Sequence, residues 1–142
     1  MNRILLAALA ALLLAACAAG PQSTATKAGQ TPEQRVAQRA EARWQALIDG
    51  RWEEAYGYLT AGYRQTHDFD AYKANFAASR VQWQGVEVPS VNCDMAERCR
   101  AQVKVRYELK GGLPGVPQFA ADQQLEEVWL LSGKDWFYLP AR

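Results

Sequence analysis

From Cys99 to Leu109 the chain alternates without a break, with Cys99, Ala101, Val103, Val105, Tyr107 and Leu109 set between Arg100, Gln102, Lys104, Arg106 and Glu108. A period of two sends alternate side chains to opposite faces, so this run predicts a strand with one packed and one wet face. Val81 to Cys93 is expected to pair with it. Its parity slips, because Val86 and Val88 are even-numbered and Val91 and Cys93 odd; a bulge near Pro89-Ser90 returns all four to one face. Phe119 to Leu131 predicts a third strand, Gly133-Lys134 a turn and Asp135 to Leu139 a fourth, giving an antiparallel meander.

Before Ser79 the period is near 3.6. Thr31-Pro32-Glu33-Gln34 is a helix start: Thr31 can cap, Pro32 fits the first helical position and Gln34 can complete a capping box. Val36, Ala40, Trp44, Leu47 and Ile48 then recur at helical spacing until Gly50. A second helix places Trp52, Ala55, Tyr56 and Leu59 on one face. Thr60 to Thr66 reads as a turn, and Asp68 can cap a third helix whose stripe is Phe69, Tyr72 and Phe76. Three helices followed by an antiparallel four-stranded sheet is an α+β order.

The amino end has a different pattern. Arg3 precedes an unbroken Ile, Leu and Ala run from Ile4 to Leu14, followed by the small residues Ala15 and Ala16. This is the layout of a secretory signal, and the run is shorter than the roughly 20 residues a bilayer span needs. Leu14-Ala15-Ala16-Cys17 resembles the lipobox of bacterial lipoproteins. That resemblance implies cleavage before Cys17, a diacylglyceryl group on its sulfur and, usually, a third acyl chain; two or three chains anchor firmly where one does not. Ala18 is not the Asp associated with inner-membrane retention, so the expected location is the outer membrane, facing the periplasm, in a Gram-negative cell. The division is then residues 1–16 as signal, 17–30 as lipidated cysteine and linker, and 31–142 as one domain. Residues 18–30 are mostly Ala, Gly, Ser, Thr and Gln, with a reach of roughly 20 Å as a flexible coil.

Composition narrows the function classes. Removing residues 1–16 takes Arg3 with it and leaves 15 basic and 15 acidic side chains, without the basic footprint of a nucleic-acid partner. Five Trp, six Tyr and four Phe supply a substantial core. With Cys17 committed to lipid, Cys93 and Cys99 remain as a pair flanking a polar stretch between two strands. In an oxidising compartment a disulfide across the hairpin is the preferred reading, with two free thiols as the alternative. A zinc site would need more ligands than His67 can add, and no cofactor is implied.

Several packing positions carry a further likeness. Trp44 to Trp52, the Ala55-Tyr56-Gly57-Tyr58-Leu59 helix with Tyr63-Arg64, and Glu127-Val128-Trp129 with Gly133-Lys134-Asp135-Trp136 resemble the NTF2-like (SnoaL-like) superfamily over residues 31–140. The resemblance implies a cone, with three helices on a curved sheet and a pocket between sheet and first helix. It also leaves open a homodimer through the sheet, although the basic run on Arg100 to Lys110 weighs against one.

Isomerases of that superfamily hold a carboxylate base in an apolar cavity, and Glu127, in phase with Leu125, Trp129 and Leu131, is its counterpart here. His67 beside Asp68 is a second candidate for proton transfer, against the simpler reading of Asp68 as a helix cap. Trp44, Tyr56, Tyr63, Tyr107 and Trp129 are the candidate pocket residues. No complete isomerase or cyclase constellation assembles from these. The expectation is therefore a membrane-anchored envelope lipoprotein whose domain binds a small ligand or an envelope protein without catalysis. An isomerase or cyclase built on Glu127 and a structural subunit of an envelope assembly are the alternatives.

Overall fold

The computed structural model describes residues 29–141. Leu14, Ala15, Ala16 and Cys17, and with them the signal and most of the linker, lie outside the described residues. Helix α1 runs Pro32–Ile48 and is followed by α2 (Trp52–Gly57), α3 (Ala61–Thr66) and α4 (Phe69–Ala77). Strands β1 (Val81–Met95), β2 (Arg98–Leu109), β3 (Ala120–Ser132) and β4 (Asp135–Leu139) then form one antiparallel sheet in chain order. No helix among the described residues is long and apolar enough to cross a membrane.

The expectation of a three-helix NTF2-like cone is corrected here: four helices precede the sheet. The segment taken for a turn is α3, which Thr60 caps through its hydroxyl and Thr66 closes by donating to the Tyr63 carbonyl at 3.0 Å. Six residues containing Gly62 and no buried side chain leave no apolar stripe, which is why periodicity passes over this helix. Its capping residues carry the signal instead. Helix α1 starts on a full capping box, with the Thr31 side chain accepting from Gln34 and the Gln34 side chain accepting from the Thr31 backbone. Asp68 caps α4 by accepting from the Ala71 N–H at 2.8 Å.

The β1 to β2 register pairs Glu87 with Lys104 and Ser90 with Gln102, so Val88 and Pro89 bulge out of the ladder. That bulge accounts for the parity slip in β1. Cys93 stands directly opposite Cys99, and the two are joined in a disulfide across the Ala96-Glu97 turn. The edge of β4 is covered: Tyr138 donates to the Tyr58 carbonyl at 2.8 Å and accepts from the Thr60 N–H at 2.9 Å. The α2 to α3 connection thereby takes up backbone groups that an edge strand would otherwise expose.

The core lies between α1 and the inner face of the sheet. Val36, Ala40, Trp44 and Leu47 of α1 are buried with Cys99, Ala101, Val103 and Val105 of β2, and with Trp129 and Trp136. All four β2 residues belong to the apolar half of its alternation. The other half faces outward and pairs with acids on its neighbours, as in Arg100 with Glu126 at 3.3 Å and Arg106 with Asp122 at 3.0 Å.

Candidate functional site

At the centre of this apolar layer sits a carboxylate. Strand β3 turns Glu127 inward between Leu125 and Trp129, and the side chain retains 2% of its exposure. Oε1 accepts from the Arg43 guanidinium at 2.7 Å and from the Trp44 indole N–H at 2.8 Å, and Oε2 accepts from the Trp129 indole N–H at 3.1 Å. Arg43 and Trp44 are adjacent on α1, so one turn of helix presents a cation and an indole donor together. Trp129 lies two residues along β3 and shares the inner face with Glu127.

Arg43 is 5% exposed, and its guanidinium lies over the Tyr138 ring at 4.2 Å. Burial raises the Tyr138 phenol above its ordinary value; Arg43 opposes the rise and Glu127 adds to it. Burial likewise raises Tyr72, again opposed by Arg43, and the buried Tyr72 hydroxyl finds no partner of hydrogen-bond geometry. One turn earlier on α1, burial lowers the Arg39 guanidinium, with Asp135 acting the other way; Arg39 stacks over Tyr58 at 4.8 Å. Two arginines of α1 are thus fastened by their hydrogen-bonding edges and by aromatic faces, for which guanidinium is better suited than ammonium.

The arrangement determines what Glu127 can do. A general base needs a free lone pair aimed at a substrate proton. Here three donors fixed in packed elements hold the two oxygens, and the group is sealed beneath Trp44 and Trp129, so no substrate proton reaches the lone pair left on Oε2. Its chemistry is that of a buried ion pair holding helix to sheet.

The remaining sequence candidates make no hydrogen bond to Glu127: His67, Asp68, Tyr56 and Tyr63 meet where α3 leads into α4, and Tyr107 lies on β2. His67 is exposed at the end of α3, stacked on Tyr63 at 4.0 Å between ring centroids, and its Nδ1 lies 2.9 Å from the Thr66 hydroxyl. Asp68 is engaged in its cap. Tyr56 donates to the His67 carbonyl at 2.6 Å and packs on Phe69 and Tyr72, which ties α2 to the start of α4. Tyr107 packs on Trp83 and Phe119. Of the five pocket candidates, the structure brings Trp44 and Trp129 to Glu127 and uses both as donors to it. Arg43 is the residue that sequence reasoning missed. It lies three positions after Ala40 and four before Leu47, inside the apolar stripe of α1, and a charge at that phase is the signal of a buried partner.

Among the described residues no group of three or more His, Cys, Asp or Glu is placed to hold a metal ion.

Comparison with known proteins bears on the fold. No protein-family model matches the chain, and no curated protein matches it. Solved structures do. A SEC-C motif containing protein from Rhodopseudomonas palustris aligns with TM-score 0.58 at 12% identity, over 72% of this chain and 73% of its own. A SEC-C motif containing protein from Psychrobacter arcticus aligns with TM-score 0.59 at 12% identity, over 80% of this chain and 63% of its own. At this identity the likeness is one of fold. The neighbours are SEC-C motif containing proteins and not NTF2-like ones, which overturns the membership expected from the packing residues. Positions such as Trp44 and Trp129 are set by the contacts of Glu127, so they are weak markers of descent.

Proposed function

We propose that the protein is a lipid-anchored envelope lipoprotein whose single α+β domain is a binding module, for a small ligand or an envelope protein, without catalysis of its own. The anchor is supported by Leu14-Ala15-Ala16-Cys17 after an apolar run, and export by a cysteine pair joined in a disulfide. The observation that carries the non-catalytic part is the burial and fastening of Glu127: its oxygens accept from Arg43, Trp44 and Trp129 at 2.7–3.1 Å with the side chain closed off from solvent. A carboxylate so engaged holds structure, and no second cluster replaces it as acid or base among the candidates that the sequence offered.

Each part has its own test. Cys17→Ser is expected to leave unprocessed precursor that a metabolically incorporated fatty acid no longer labels; labelling of that variant would remove the anchor. An activity found in the wild-type protein and lost in a folded Glu127→Gln variant would remove the non-catalytic reading.

A further inference from the structure

The largest concavity bearing both rings and an uncommitted charge lies away from Glu127, at the end of the molecule where α1 finishes. It has a volume of about 410 Å3, within the range of roughly 300–1,000 Å3 usual for small-molecule sites. Leu47 of α1, Trp52 of α2 and Phe76 of α4 line it on the helical side, with Trp83 and the polar Gln82 and Gln84 of β1 and Lys110, just beyond β2, on the other. Trp52 is stacked on Phe76 with centroids 5.8 Å apart, and Trp83 is braced edge-on by Trp44 at 5.0 Å. Both indoles are half-buried, so each keeps part of its surface toward the cleft.

The charge at the rim is positive. Lys110 forms no ion pair among the described residues, and Glu108, two residues earlier, meets Gln84 at 3.5 Å instead. The backbone that carries Lys110 is held in place: Arg80 donates to the Lys110 and Gly112 carbonyls at 3.0 Å, and the Lys110 N–H donates to the Arg80 carbonyl at 2.9 Å. Gly112, at φ +61°, is required for this loop, because a Cβ there would collide with the carbonyls of Val116 and Pro117. By contrast, the groove on the outer sheet face near Gln84 is lined by Lys104 and Asp122, which already pair with each other at 3.3 Å.

We propose that the cleft binds a small molecule with a flat apolar body and a carboxylate, the body resting against the Trp52 and Trp83 indoles and the carboxylate on Lys110. Indole faces supply large, rigid contact area, and a cation at the rim fixes orientation with a charge-assisted hydrogen bond. The cleft also lies at the far end of the 17-residue helix α1 from Thr31, where the chain leads back toward Cys17. The cleft thus stands about 25 Å, the length of α1, from Thr31. The proposal deepens the binding reading above and rests on it.

The probes are 2-naphthoate and its neutral counterpart 2-naphthamide, titrated by calorimetry into the purified full-length protein. Saturable binding is expected, with the carboxylate preferred about tenfold, the size of one charge-assisted hydrogen bond. Lys110→Gln should abolish that preference while leaving 2-naphthamide binding unchanged, and Trp52→Ala should weaken both probes. Absence of saturable binding, equal affinity for the two probes, a preference that survives Lys110→Gln, or affinities unmoved by Trp52→Ala would each overturn the proposal. Failure here is distinguishable from failure of the wider reading, since acyl labelling at Cys17 and co-purification of an envelope protein do not depend on this cleft.

Discussion

Two sets of opposite charges face each other across the sheet of this protein and differ in almost every physical respect. On the outer face Arg100 meets Glu126 and Asp94, Lys104 meets Glu87 and Asp122, and Arg106 meets Asp122. On the inner face a single pair, Arg43 with Glu127, is sealed under Trp44 and Trp129. The outer pairs are exposed to water, which screens them, and pairs of that kind contribute about 0–1 kcal/mol. The inner pair has lost its water, so each partner's worth depends on the other. Removing one member leaves a buried uncompensated charge at a cost of about 3–5 kcal/mol. Similar groups therefore serve solubility and register on one face and fix helix to sheet on the other.

The largest expected effect follows directly. Glu127→Gln leaves Arg43 without a counter-charge and sets an amide N–H against indole N–H donors, so denaturant unfolding should show a loss of about 3–5 kcal/mol. A loss below about 1 kcal/mol would place Glu127 with the outer pairs. Arg106→Ala, removing the hydrogen bond that does most to hold the Asp122 carboxyl below its usual range, should lower the denaturant midpoint only slightly, as expected of a solvated pair. Its effect should fade further in 1 M salt, where the screening length is about 3 Å. An undiminished effect in salt would mean that the outer network is not solvated.

The smallest effect concerns the phenols around Arg43. Burial raises Tyr72 and Tyr138, so the native state keeps these protons when the unfolded chain, with a tyrosine value near 10, has lost them. Their contribution is intact below about pH 10 and declines as pH rises through the native-state values. Tyr72→Phe should therefore change little at neutral pH and make the alkaline fall in stability shallower. An unchanged alkaline slope would show that Tyr72 does not titrate with unfolding.

The legible parts of the molecule are those where local chemistry and tertiary structure agree. The alternation of β2 reads through to its burial, residue by residue from Cys99 to Val105, because one face is packed and the other wet. Thr31 and Asp68 are legible as caps because capping is a matter of three residues. Helix α3 was hidden because Gly62 and its polar neighbours give it no face. The site was half legible: the parity of β3 points Glu127 inward, but its partner lies 84 residues away on α1, a register that no local pattern encodes. Trp44 and Trp129 looked like pocket walls, since an indole reads as apolar until the carboxylate that takes its N–H is placed beside it. Arg43 escapes notice for the opposite reason: a charged side chain on a helix reads as solvent-facing, although its phase makes it part of the core.

The measurement that tests the central claim most directly is a double-mutant cycle on the inner pair: Arg43→Met, Glu127→Leu and both together, each unfolded in denaturant. If the pair is a structural clasp, each single change should cost about 3 kcal/mol or more while the double variant recovers much of the sum, giving a coupling well above 1 kcal/mol. Additive losses, with coupling within about 0.5 kcal/mol of zero, would contradict the account and return Glu127 to the list of carboxylates free to do chemistry.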